Sequence, residues 1–525
     1  MNPSEGTKVA KAAGVVGFFT FLSRILGLVR DMVVAGLFGS GMAADAFFVA
    51  FRIPNLLRRL FAEGSLTIAF IPVFMEYLTR KGKREAFEMA RAVLTLLSLA
   101  LVVVTLLGIV LAPWIVRIQA FGFGGAGMKY DLTVWLTRIT FPYIFLISLV
   151  AFFMGVLNSL KHFAAPAAAP IFLNVGIIGG AFLISPHLRE PIVGVAIGVL
   201  IGGVLQVALQ IPVVIKSGMR LTPYWFPGHP AVNRIGRLML PAVFGSAVYQ
   251  FNQFMGTLLA TFLPEGSVSW LYYADRVVQF PLGVFAIAIS TAALPSLSGH
   301  AARRDLHEFN ETLAHALGLV FFITLPAMTG LIVLGKPIVY VLFQRGAFTH
   351  QSMLMTCQAL FYYTLGLWAF SGIRILVSGF YALQDTKTPV KVATVALVVN
   401  VGVSLALMGP LRHGGLALAL SIASSVQFGL LAFLLVKRLP NLAVRPIIVS
   451  AARGVLASLI MAGVVFYAEE WWLTFAPSLG LWHNVSSLTG LVLLGAGTYL
   501  LMARVLGAHE LRTLMSMLKP GSKKP

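Results

Sequence analysis

Residues 23–74 read SRILGLVRDMVVAGLFGSGMAADAFFVAFRIPNLLRRLFAEGSLTIAFIPVF, a stretch with the apolar content of membrane spans. It nevertheless carries Arg24, Arg30, Asp31, Asp45, Arg52, Arg58, Arg59 and Glu63. An ionisable side chain at the bilayer centre costs roughly 2.5–3.5 kcal/mol even on the lenient insertion scale. So many charges inside two apolar spans are not expected to face lipid. They need a water-filled or protein-lined interior, and that cavity is the functional expectation.

The rest of the chain supports a membrane setting. Its 525 residues are 58% hydrophobic and 11% charged, with a mean hydropathy of +0.89. Soluble domains carry about 25% charged residues, so a soluble multidomain reading is excluded. Apolar stretches of about 20 residues, enough to cross a bilayer core of roughly 30 Å, recur from end to end. About 14 spans are expected, starting near residues 10, 43, 92, 131, 166, 191, 237, 268, 311, 353, 390, 414, 446 and 484. The N-terminal run continues into SRILGLVRD without a small-residue cleavage site, so it reads as a retained span rather than a signal peptide. Cys357 is the single cysteine, so no intrachain disulfide can form, and its apolar helix pattern reads as a free buried thiol.

The formal net charge of +21 invites a nucleic-acid reading, but the cations sit in alternate short loops and no basic tract interleaves with aromatics. The loop set 80–91, 160–162, 216–237, 300–305, 384–391 and 437–445, with the two ends of the chain, holds about 23 Lys and Arg, and the opposite set about 4. Both termini are therefore expected on the cytoplasmic side. Trp471, Trp472, Tyr467 and Trp482 would form an aromatic belt at the outer interface.

An internal repeat recurs with a period of about 225 residues. IAFIPVF (68–74) returns as TAALPSL (291–297), and GVLNSLKHFAAPAAAPIFLNVG (155–176) as GFYALQDTKTPVKVATVALVVNVG (379–402). The early charged helix has its second copy in SVSWLYYADRVVQFPLGVFAIAISTAALPSLS (267–298), where Asp275-Arg276 again precede a proline, Pro281. An even number of spans per copy makes the repeats parallel, an arrangement that places binding sites at the repeat interface near the midplane.

Arg24 falls near the middle of its span and cannot easily snorkel, and Asp31 lies two turns on, on the same face. Asp45, Arg52 and Arg59 are spaced by sevens, but Pro54 interrupts that helix, so either Arg58 or Arg59 could point inward. In the second copy Tyr273, Arg276 and Gln279 share a face at spacing three. The set has six arginines (24, 30, 52, 58, 59, 276) and four acids (31, 45, 63, 275), a surplus of two positive charges. That suits a doubly anionic head such as a pyrophosphate diester, which arginine's planar fork pairs bidentately. The competing reading is internal ion pairing that fixes helix packing, and it fits Arg30–Asp31 and Asp275–Arg276 well. It also remains the preferred reading of Arg52 and Arg59. Pro54, Pro72, Pro142, Pro281 and Pro295 are candidate bending points. No HExxH, P-loop or nucleophile elbow occurs, and His162, His229, His300 and His350 have no partner at metal-ligand spacing. Neither an enzyme, a metal site nor a cofactor is expected.

SRILGLVRDMVVAGLFGSGMAADAFFVAFRIPNLLRRLFAEG resembles the N-terminal signature of the MviN/MurJ lipid II flippases of the MOP exporter superfamily. WLYYADRVVQFPLGVFAIAISTAALPSLS, LFQRGAFT and GFYALQDTKTPVK are similar to that family's later motifs. The resemblance implies an all-α polytopic fold of about 14 helices, with two parallel six-helix lobes in a V-shaped arrangement. The N-lobe would span 1–218 and the C-lobe 219–440. Two further helices, 441–510, would form a groove for the polyprenyl tail, and 511–525 a basic cytoplasmic tail. It implies substrate-binding roles for Arg24, Arg30, Asp45, Arg58 and Arg276, with Asp31, Arg52, Glu63 and Asp275 at cavity or gate positions. Some relatives bind sodium through an acid in the seventh span. That span here, LMLPAVFGSAVYQFNQFMGTLLATFL, has no carboxylate, so sodium coupling is not expected.

The expectation is a flippase that carries lipid II, an undecaprenyl-pyrophosphate-linked disaccharide-pentapeptide, from the cytoplasmic to the outer leaflet by alternating access. It would sit in the bacterial inner membrane, as a monomer, among membrane lipids and cell-wall synthesis proteins, with no nucleic-acid partner. The alternatives are a flippase for another polyprenyl-linked glycan, a MATE-like exporter, whose cavity should be acidic if it takes cations, and a scaffold indifferent to the cavity charges.

Overall fold

The computed structural model describes residues 3–58, 66–439, 444–475 and 480–511. Its elements are helices. The first, α1 (Pro3–Phe38), ends where Gly39 takes φ +64° and returns its N–H to the Ala35 carbonyl, a left-handed helix stop. Next come α2 (Met42–Leu57), which holds Pro54, α3 (Thr67–Arg80) and α4 (Lys83–Val110). Pro113 opens the short α5 (Ala112–Gln119). Pro142 separates α6 (Met128–Thr140) from α7 (Tyr143–Ser159) within one apolar span. Helix α8 (Ala164–Gly179) runs into a π-type turn at Gly180–Ile184, and α9 (Ile192–Lys216) follows.

The order then repeats. Helices α10 (Pro230–Thr261), α11 (Ser267–Pro281) and α12 (Ile287–Ala302) stand in the places of α1–α3. Helix α13 (Leu306–Val333) has the 28 residues of α4, and the short α14 (Gly335–Phe343) follows it as α5 follows α4. Helices α15 (His350–Thr364) and α16 (Leu367–Ala382) meet at a bend of 42° and are long and apolar enough to cross a bilayer only when taken together. Helices α17 (Lys387–Leu411) and α18 (His413–Arg438) close the second copy, and α19 (Val444–Phe475) and α20 (Leu481–Val505) stand outside it. Among the described residues, ten helices or joined helices are long and apolar enough to cross a bilayer, eleven with the bent pair. Helices α1, α2–α3 and α10 are not among those eleven, and α1 and α2 carry Arg24, Arg30, Asp31, Asp45 and Arg52.

The chain divides into two compact units. The first is Met1–Ser269 with Arg345–Phe348, the second Trp270–Gln344 with Thr349–Pro525. Helix α10 therefore belongs to the first unit, where it packs on α3. The core of that unit is aromatic: Phe70 stacks on Phe74 at 5.4 Å and meets Phe152 at 4.9 Å. A glycine seam joins α8 and α9. A Cβ on Gly176 of α8 would lie 2.4 Å from the Gly202 nitrogen of α9, and one on Gly180 would lie 2.3 Å from the Gly194 oxygen, so the two backbones touch as in small-residue membrane interfaces. In the second unit, α19 and α20 pack on α13 and α14 around Phe322, Met461 and Tyr499. Large apolar side chains lie exposed along the spans, among them Val110, Leu183, Val398 and Phe433, as a lipid environment requires. Tyr467, Trp471 and Trp482 of the expected aromatic belt are exposed too, whereas the Trp472 side chain lies outside the described residues. Cys357 is free but half-buried rather than buried, with Sγ 3.5 Å from Met353 Sδ.

Candidate functional site

Arg24 stands on α1, exposed, and among the described residues it has no hydrogen-bond or ion-pair partner. Two turns further on, the arrangement is the opposite. Arg30 donates Nε and Nη2 to Asp31 Oδ1 at 3.0 and 2.7 Å, and Nη1 to Asn174 Oδ1 at 3.1 Å. Asn174 in turn donates Nδ2 to the Ser23 carbonyl. Only 12% of the Arg30 side chain and 4% of that of Asp31 are exposed. The ion-pair reading therefore holds for Arg30–Asp31, and the pair ties α1 to α8.

Asp45 is 1% exposed, and its carboxylate receives four donors. Lys129 Nζ lies 2.8 Å and Gly266 N 2.9 Å from Oδ2, while Ser269 N and Oγ lie 2.9 and 2.6 Å from Oδ1. The two backbone donors are orphan N–H groups at the start of α11, so a carboxylate there satisfies them and the positive end of the helix together. Glu265 reciprocates by accepting Met42 N at 2.7 Å in the first turn of α2. Helices α2 and α11 thus cap each other's N-termini. Beside this clasp, Ala347 N donates to the Gly36 carbonyl at 2.8 Å, which places part of the LFQRGAFT motif on the end of α1.

Further along α2, the half-buried Arg52 donates Nη2 to Gln253 Oε1 at 2.5 Å. Arg58 lies in a π-type turn directly after α2 and donates Nε to Asn55 Oδ1 at 2.9 Å. Arg59 and Glu63 lie outside the described residues. On α11, Arg276 is half-buried, with Nη2 donating to the Tyr272 hydroxyl at 2.9 Å and its guanidinium 4.6 Å from that ring's centroid. Tyr273, expected on the Arg276 face, is instead fully buried against Phe343 at 5.0 Å. Helical neighbours lie both three and four residues apart, and here the fourth prevails. Asp275 Oδ1 accepts from Gln279 Nε2 at 3.3 Å.

Sequence reasoning missed Lys129, Glu265, Asn174 and Arg374. Lys129 is the lone cation of the loop 119–130, a signal that was available. Arg374 is half-buried at the middle of α16, where its own carbonyl accepts from Ser290 and Ser378. The mid-span rule applied to Arg24 selects it equally. Glu265 and Asn174 gave no periodic signal. The described residues also bring His307, Glu308 and Glu311 together, all exposed on the first turns of α13, where helical spacing alone accounts for their proximity.

A family model described as lipid II flippase MurJ matches residues 34–486. The chain is 38% identical over 509 residues to the probable lipid II flippase MurJ of Vibrio cholerae, covering 96% of this chain and 97% of that one. It is 39% identical over 428 residues to the lipid II flippase MurJ of Burkholderia cenocepacia, covering 81% and 83%. A solved structure described as lipid II flippase MurJ in an inward closed conformation superposes with a TM-score of 0.78 at 30% identity, covering 95% of this chain and 99% of that one. An inward-facing multidrug resistance MATE transporter of the MOP superfamily shares the fold, with a TM-score of 0.69 at 14% identity. This polytopic, all-helical chain belongs to the MurJ lipid II flippase family.

Proposed function

We propose that the protein translocates lipid II from the cytoplasmic to the outer leaflet of the bacterial inner membrane by alternating access, for cell wall synthesis. Family membership supports the substrate. The observation that carries the mechanism is Arg24: a guanidinium on α1, the first of the spans expected from the sequence, exposed, with no partner among the described residues. Such a group is costly in lipid, and a pyrophosphate passing beside it is the partner its planar fork suits. Arg58 and Arg276 act with it on the head, and Arg30, held by Asp31 and Asn174, sets the position of α1. Asp45 acts as a clasp that opens and closes rather than as a ligand, because its lone pairs are taken by four donors. Arg52, Glu63 and Asp275 are the remaining gate positions.

The lobes are assigned to 1–218 and 219–440, the tail groove to 441–510 and a basic cytoplasmic tail to 511–525. Both termini face the cytoplasm, in keeping with the loop-charge bias. The protein works as a monomer beside cell-wall synthesis proteins. The test is growth of cells depending on this gene, with Arg24→Ala and Arg276→Ala expected to abolish it at normal expression. Arg→Lys also fails if bidentate contact matters, and succeeds if charge suffices. Unimpaired growth of both alanine variants overturns the reading. Binding of purified protein to lipid II, compared with undecaprenyl phosphate and another lipid-linked sugar, separates the substrate from its relatives.

A further inference from the structure

A cavity of about 270 Å³ lies within the second compact unit, between α13, α16, α18 and α19. Its walls carry no polar side chain apart from the Trp368 indole. Phe428 forms the inner wall with Phe321 and Trp368, at ring distances of 5.9 and 5.2 Å. The opposite side is open, since Val436, Val444 and Ile448 are exposed. An apolar space of this kind stays dry, and beside membrane-spanning helices its open side meets lipid chains. The volume falls below the 300–1,000 Å³ of pockets that enclose a drug-sized molecule, so it suits a segment of chain rather than a whole lipid.

The rim adds a second feature. Two lining residues are each followed by an exposed cation: Val436 by Lys437 at the end of α18, and Val444 by Arg445 at the start of α19. Their neighbour Arg438 is already held by Asp385 at 2.5 Å. An apolar slot with a cationic lip matches a phosphate head on an acyl chain, and basic pockets between spans bind anionic phospholipids in this way. We propose that this cavity is a binding site for one acyl chain of an anionic phospholipid, whose phosphate rests on Lys437 and Arg445. The site is separate from the groove expected of the last helix pair for a polyprenyl tail, because α20 supplies none of its lining. Assigning the lipid to the inner leaflet rests on the proposed orientation, whereas the binding itself does not.

The test uses full-length protein, delipidated in detergent and titrated with phosphatidylglycerol, phosphatidylethanolamine or undecaprenyl phosphate, with bound lipid counted by native mass spectrometry. Phosphatidylglycerol is expected to bind at least tenfold tighter than phosphatidylethanolamine. Lys437→Gln with Arg445→Gln should weaken it about 10- to 30-fold, at several-fold per cation. Ala451→Trp, which fills the slot, should abolish it. Equal binding of the two phospholipids, or wild-type affinity in the double variant, overturns the proposal. So does undecaprenyl phosphate displacing phosphatidylglycerol from the site that Ala451→Trp blocks, which would make the cavity a tail site. Lipid II translocation is not part of the readout, so failure here leaves the flippase reading standing, and the reverse holds.

Discussion

Replacing Asp45 by Asn tests the clasp between α2 and α11 directly. The asparagine keeps one acceptor oxygen but turns an N–H₂ towards donors the carboxylate now receives, and the Lys129 ammonium loses its counter-charge. Breaking one side of a fully buried ion pair costs about 3–5 kcal/mol. The Lys129 side chain is 19% exposed and so partly solvated, which lowers the expected loss to about 2–3 kcal/mol. At 1.4 kcal/mol per decade, this raises the population with a released first turn of α11 by about 30- to 140-fold. The reporter is a cysteine at Val268, which is 5% exposed, in a Cys357→Ser background. Its labelling rate with a water-soluble maleimide, in purified protein, follows that population. Lys129→Met should accelerate labelling less, because three donors remain on Asp45. The double variant should fall short of the product of the two effects, since the sites share one interaction. A labelling rate within twofold of the parent in Asp45→Asn, with unfolding temperature preserved, would refute the clasp.

Two other outcomes follow from the geometry. A methyl group at Gly346 would sit 2.2 Å from the Gly36 oxygen on a backbone with φ +55°, so Gly346→Ala should lower the unfolding temperature, by at least the 1–2 kcal/mol of a left-handed residue. Gly125→Ala, with nothing within 4 Å of its Cβ, should not, and equal effects would sink the argument. In the loop after α16, burial alone would raise the Asp385 pKa, but hydrogen bonds from the Thr388 hydroxyl and amide, with the Arg438 charge, hold it below its ordinary 3.8. The unfolded state then binds the proton more readily, so this stabilisation is present above pH 3.8 and is lost as pH falls through the lower folded value. Thermal unfolding followed from about pH 6 to about pH 3 should lose less in Asp385→Asn than in the parent, and parallel curves would contradict the assignment.

Helix content, repeat and mid-span charges were legible because each is a local signal. Apolar length marks a span, a recurring proline and charged pair marks a copy, and one arginine among leucines marks an expensive position. Partnership was not legible. Asp45 meets Lys129 from 84 positions away and Ser269 from 224, and Arg30 meets Asn174 from 144. No periodicity encodes such pairings, so the hydrogen-bonded networks that hold Asp31 and Asp45 were not legible. The phase after Pro54 was ambiguous for a related reason: Arg58 is already in π-type rather than α-helical geometry, and a regular helical period cannot be carried through it. Tyr272 and Tyr273 were equally allowed neighbours of Arg276, and the packing of Tyr273 on Phe343 decided between them.

The glycine seam between α8 and α9 offers an experimental convenience. Backbones in contact with no intervening side chains have no room to slide or rotate without colliding, so the pair behaves as a single plank. Spin labels on the exposed positions Val175 and Val204 should report one unchanging separation whatever the rest of the protein does. That distance serves as an internal ruler, against which displacements measured elsewhere in the molecule can be calibrated by pulsed electron resonance.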